Sequence, residues 1–180
     1  RHIFKSGGTT IEIQTGNKQY GLLDPRINSR KWMTFVRDPI DHFLSGWAEC
    51  EGRRNKKKSK ELYDVRVKSW LNGIKKCLMP PYNCRCNIHS FPQTTLLLHW
   101  NQTIHSQIEV IGDLREMAGV LELVGFQCNN SLEGGRISTE DELIQEYYPR
   151  RKDLLSNGTM RAICEFVALD YFLFDFELPD

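Results

Sequence analysis

Apolar and polar positions follow two rhythms along this chain. Three short apolar-rich runs, residues 1–4, 32–36 and 108–111, have the density expected of buried parallel strands. Other stretches recur at helical spacing. Ile40, Phe43, Leu44 and Trp47 form one stripe, and Leu62, Val65, Leu71, Ile74 and Leu78 form a second within residues 60–78. Leu114, Met117, Leu121 and Val124 form a third, and Met160, Ile163 and Val167 a fourth. Polar residues mark where these helices begin. Asp38 is a natural N-cap, Pro39 suits the first helical position, and Asp41 completes a capping-box-like pattern. Asp113 and Glu116 open the third helix in the same way, Ser138 to Glu142 starts a short one, and the last begins near Thr159. Asn129-Asn130 and Gly134-Gly135 mark a loop, and the aromatic run from Tyr171 to Phe176 is expected in the core. Strands alternating with helices predict an α/β fold, a P-loop-like parallel sheet flanked by helices, with ligands beyond the carboxyl ends of the strands.

Composition narrows the class. A chain of 180 residues, 40% hydrophobic and 26% charged, reads as one globular domain spanning residues 1–180. A net charge of +1 provides no global field toward nucleic acid or membrane. No apolar run approaches the roughly twenty residues a membrane helix needs. The chain starts at Arg1 inside a strand pattern, so it is expected to be a fragment lacking an N-terminal anchor region. One segment is strongly basic: Arg53-Arg54-Asn55-Lys56-Lys57-Lys58-Ser59-Lys60. It reads either as a solvated linker or as a lip that attracts an acidic glycan. Nucleic acid fits poorly, because no stacking aromatics interrupt the charges.

The candidate chemistry sits where strands end. After the first strand comes Lys5-Ser6-Gly7-Gly8-Thr9-Thr10, a basic, glycine-rich and hydroxyl-rich turn whose main-chain N–H groups can converge on an anion. It is not a P-loop of the NTPase type, in which lysine follows the glycines, and the dinucleotide fingerprint is absent. After the second strand comes Val36-Arg37-Asp38-Pro39, followed by Ser45 off the apolar stripe of its helix. Two anion sites on neighbouring strand–helix junctions suit a ligand charged at both ends.

This pair of segments resembles the sulfotransferases that use 3′-phosphoadenosine 5′-phosphosulfate (PAPS), most closely the Golgi-type carbohydrate sulfotransferases. Lys5 to Thr10 look like the 5′-phosphosulfate loop of that family, and Val36-Arg37-Asp38-Pro39 with Ser45 like its 3′-phosphate motif. Phe91-Pro92-Gln93, Ile111-Gly112-Asp113-Leu114 and the segment from Leu169 to Phe176 fit less specifically. The resemblance implies an enzyme that moves a sulfuryl group to a carbohydrate hydroxyl. Lys5 would offset charge on the leaving oxygen, and Ser6, Gly7, Gly8, Thr9 and Thr10 would hold the 5′-phosphate. Arg37 would grip the 3′-phosphate with Ser45 beside it.

A general base is left with several candidates. Glu12 lies where some glycan sulfotransferases place a glutamate, though it equally suits the first turn of a helix. His89, His99 and His105 are the others. Six cysteines, Cys50, Cys77, Cys84, Cys86, Cys128 and Cys164, admit many pairings. Those around the Pro80-Pro81 turn suggest a stapled loop, and a metal site from Cys84, Cys86 and His89 is the weaker alternative. Sequons begin at Asn101, Asn129 and Asn157. Together these favour a glycoprotein of the Golgi lumen. A non-catalytic glycan-binding relative and a nucleotide-dependent kinase are the competing readings.

Overall fold

The computed structural model describes residues 32–54, 62–77, 87–98, 108–126 and 150–179. The expected strand at residues 1–4, the short helix at 138–142, the loop near Gly134, Leu78 and the segment from Asn55 to Lys60 lie outside the described residues. The chain divides into two compact units, Arg1–Arg37 with Thr95–Ile137 and Asp38–Thr94 with Ser138–Asp180.

In the first unit, β1 (Trp32–Val36) and β2 (Ile108–Asp113) pair in parallel, with Phe35 opposite Gly112 and Val36 opposite Asp113. The parallel sheet of an α/β fold is therefore present, and β2 runs two residues further than the apolar pattern suggested. Gly112 is where close approach demands glycine: a Cβ there would stand 2.8 Å from the Phe35 ring. Thr34, Phe35 and Val36 are buried as expected, whereas Ile111 is 49% exposed.

The helix expected from Asp113 starts differently. Asp113 caps a 3-10 turn, Leu114–Glu116, by accepting the Arg115 N–H at 2.8 Å, and only then does the α-helix Met117–Leu123 begin. Its inner residues Met117 and Leu121 form the core with Phe35, and Met33, Leu114, Val120 and Phe126 pack around them. Val124, expected inward, is exposed. The cause is a Schellman ending at Gly125, φ 89°, in which the Phe126 N–H returns to the Leu121 carbonyl at 2.9 Å. Phe126 thereby takes the inward place that periodicity assigned to Val124.

The second unit is helical. Its first helix, α1 (Pro39–Arg54), buries Ile40, Phe43, Leu44 and Trp47 completely. The next, α2 (Tyr63–Cys77), turns Val67, Trp70, Leu71 and Ile74 inward. Leu62 and Val65, also expected inward, are exposed. Val65 precedes Leu71 by six residues, roughly 240° of helical rotation, so the two cannot share a face. Trp47 meets the Tyr63 ring edge-on at 5.3 Å, and the Arg66 guanidinium lies 5.3 Å over Trp47. A 3-10 turn, Asn87–Ser90, leads to α3 (Gln93–Leu98), of which Gln93 and Thr94 belong to this unit.

Two C-terminal helices complete this unit; with Met117–Leu123 as α4, they are α5 (Asn157–Phe166) and α6 (Ala168–Phe174). Ser156 caps α5 through the Thr159 N–H and is itself held by Asp64 at the start of α2, its N–H reaching Asp64 Oδ1 at 2.8 Å. Those hydrogen bonds with Ser156 and Thr159 hold the Asp64 carboxyl below its usual value, against the opposing effect of burial. Ile163 and Val167 are buried as expected. The closing aromatic run is only partly core: Tyr171 is buried, but Phe172 is 82% exposed, and Leu169 and Leu173 also face outward. Cys50 and Cys77 are disulfide-bonded, and Cys164 carries a free thiol.

Candidate active site

The junction after β1 is built as its residues demand. β1 ends at Val36, Arg37 follows half-buried, and Asp38 caps α1 by accepting the Asp41 N–H at 2.8 Å. The Asp38 carbonyl begins the helical ladder, receiving the His42 N–H at 2.9 Å. Pro39 occupies the first helical position, where its missing N–H costs nothing. Asp41 supplies its main-chain N–H to the cap, and its side chain turns to another partner.

That partner is Lys152, which the sequence reading did not single out. Its ammonium lies 2.8 Å from Asp38 Oδ1 and 3.2 Å from Asp41 Oδ1. It comes from a 3-10 turn, Lys152–Leu154, far along the chain. Burial works to lower its pKa, but the Asp38 bond and the two carboxylate charges outweigh burial and raise it. A lysine inside an exposed-looking Arg-Arg-Lys run carries no local signal of such a contact.

Ser45 lies seven residues beyond Asp38, so Asp38, Asp41 and Ser45 share one face of α1. The expectation that it lies off the apolar stripe holds. Ser45 is nevertheless buried, 4% exposed.

Next to it, Gly46 allows the main chain of the His89 turn to press against α1. A Cβ at residue 46 would stand 2.1 Å from the His89 carbonyl oxygen. The turn and the start of α3 that follows it are each held from another side. The Trp70 indole N–H donates to Ser90 Oγ at 3.2 Å, and Asp170 receives the N–H groups of Gln93 and Thr94 at 2.7 Å each. The fold thus seats the segment carrying one candidate base beside the helix turn carrying Ser45. Burial pushes the Asp170 carboxyl upward, and its bonds to Thr94 and Gln93 pull against that shift without cancelling it.

A model of the sulfotransferase family matches residues 2–177, nearly the whole chain. The chain belongs to the sulfotransferase family. No curated protein and no solved structure matches it. The match takes in every segment named above, from Lys5 to the aromatic run after Leu169.

For a sulfotransferase the other expected residues stand as follows. Lys5, Ser6, Gly7, Gly8, Thr9, Thr10 and Glu12 lie outside the described residues, as do His99, His105, Cys84 and Cys86. His89 is half-buried in its 3-10 turn. His42, which sequence reading passed over, is fully buried within α1. Among the described residues no group of three His, Cys, Asp or Glu side chains is placed to hold a metal ion, and no helix is long and apolar enough to cross a membrane.

Proposed function

We propose that this chain is a single catalytic domain that transfers a sulfuryl group from PAPS to a hydroxyl of a glycan or glycosaminoglycan. The observation that carries the reading is the family match over residues 2–177; a strand end, Arg37, then a capped helix bearing a buried serine supports a 3′-phosphate segment there.

Arg37 offers a planar fork of donors for a phosphate, and the Ser45 hydroxyl one more. Both residue types fit an anionic nucleotide, and neither needs a metal ion to do so. The Lys5 to Thr10 loop would hold the 5′ end through main-chain N–H groups and hydroxyls. When bound, PAPS supplies an activated sulfuryl group. Lys5 opposes the charge that builds on the bridging oxygen as the acceptor attacks in line, and Glu12 or His89 takes the acceptor proton. Most of the rate then comes from positioning and charge stabilisation, as in phosphoryl transfer.

The acceptor reading draws on the basic run at Arg53 to Lys60, suited to an acidic glycan. A Golgi-lumen setting is supported by the disulfides at Cys50 and Cys77 and by the exposed sequon residue Asn157. Thermal unfolding in the presence of adenosine 3′,5′-bisphosphate tests the donor site. At a hundred times its dissociation constant, a ligand of the folded state adds about 2.7 kcal/mol. Lys5→Ala should abolish transfer of labelled sulfate to glycans while leaving the melting temperature in place. A chain that shows no shift with the bisphosphate is not a PAPS enzyme.

A further inference from the structure

We propose that Lys152 is a positioning residue for the donor: by offsetting one of the two negative charges of Asp38 and Asp41 it makes the Ser45 face of α1 more receptive to the 3′-phosphate. The inference rests on the donor reading above.

The argument begins with a conflict of charge. Asp38, Asp41 and Ser45 recur at i, i+3 and i+7, on one face of a helix that advances roughly 1.5 Å per residue. Two carboxylates therefore stand within roughly 10 Å of the serine proposed to meet a phosphate. One carboxylate suffices to cap α1, and Asp38 does so. The second adds charge that opposes an incoming anion over the same short distance.

Lys152 resolves the conflict. Its ammonium touches a carboxylate oxygen of each aspartate, at 2.8 and 3.2 Å, and its side chain is 35% exposed, so solvent screens the cluster only in part. The field of these carboxylates is felt by their neighbours. Burial raises the Tyr171 phenol and the Cys164 thiol, and Asp38 raises both further. On Cys164 the Lys152 charge acts in the opposite direction. An ordinary surface ion pair would serve stability alone and contribute little. This one halves the net negative charge of the two aspartates on the face that carries Ser45.

Calorimetric titration of the folded protein with adenosine 3′,5′-bisphosphate and with adenosine 5′-phosphate separates the two roles. Lys152→Met should weaken the bisphosphate about tenfold and the monophosphate by less than about twofold, with KM for donor raised and kcat retained. Adding Asp41→Asn to Lys152→Met restores the local charge and should recover most of the lost affinity. Asp41→Asn alone, with Lys152 and the cap in place, should tighten bisphosphate binding. Equal losses on both nucleotides, no loss on either, or no recovery in the double variant would overturn the role of Lys152. So would unchanged or weaker bisphosphate binding by Asp41→Asn alone. A wild-type protein that binds neither nucleotide removes the donor reading itself, and this inference with it.

Discussion

Asp170 lies 77 residues beyond Gln93, yet its Oδ2 accepts the Gln93 N–H at 2.7 Å while its other oxygen accepts the Thr94 N–H. A fully buried carboxylate from α6 thus caps α3 from outside. Replacing it leaves two buried N–H groups without an acceptor, each costing about 1–3 kcal/mol. Asp170→Ala should therefore destabilise the protein by about 2–6 kcal/mol in urea unfolding. Asp170→Asn, which keeps one acceptor, should cost less.

Gly46 and Gly112 make a contrasting pair. A methyl group at residue 46 meets main chain, the His89 carbonyl, at 2.1 Å, whereas one at residue 112 first meets the Phe35 side chain at 2.8 Å. Side chains yield more readily than backbone. Gly46→Ala should cost about 3 kcal/mol and Gly112→Ala about 1 kcal/mol, both read from denaturant midpoints.

Titration of Tyr63 links packing to alkaline stability. Burial, partly opposed by the Arg151 main chain, pushes its phenol up to about 12 from 10.0. The unfolded chain loses that proton first. Tyr63 therefore supports the fold below pH 10, and the contribution is lost as pH rises through about 12. Absorbance titration should show one late-ionising phenol that is missing from Tyr63→Phe, together with a flatter fall in stability over that window for the variant.

Donor affinity should follow the geometry of charge at the β1–α1 junction. Arg37→Ala should weaken adenosine 3′,5′-bisphosphate about 10–100-fold, the range of a charge-assisted bond pair. Arg37→Lys should recover only part, because an ammonium lacks the fork. Ser45→Ala should cost about fivefold. Calorimetry at fixed salt checks all three.

The acceptor side is tested through the basic run. Neutralising Lys56, Lys57 and Lys58 together should raise the KM for an acidic glycan, more at low salt than at high salt. An unchanged KM at both salts would assign the run to a solvated linker.

Much of this fold is written in short-range pattern. The β1 run, the Asp38-Pro39 start and the Ile40–Phe43–Leu44–Trp47 stripe each lie within one element, so neighbouring residues suffice to find them. The burial of Ser45 was hidden because it depends on what packs over α1, not on α1 itself. Lys152 and Asp170 were hidden for a related reason. Their partners are 114 and 77 residues away, and no periodicity spans such a gap. Phe91-Pro92-Gln93 and Leu169-Asp170-Tyr171 looked like two loosely matching segments, and the Asp170 cap makes them one joint. The aromatic run misled because composition alone does not say which side of α6 faces in.

The Cys164 thiol has a consequence for how the chain matures. Burial and the nearby Asp38 hold its proton on, so little thiolate forms at neutral pH. Disulfide interchange proceeds through thiolate attack. Once α5 has formed, Cys164 becomes a bystander to such interchange, and Cys50 and Cys77 keep their covalent partners without a competing nucleophile from that helix.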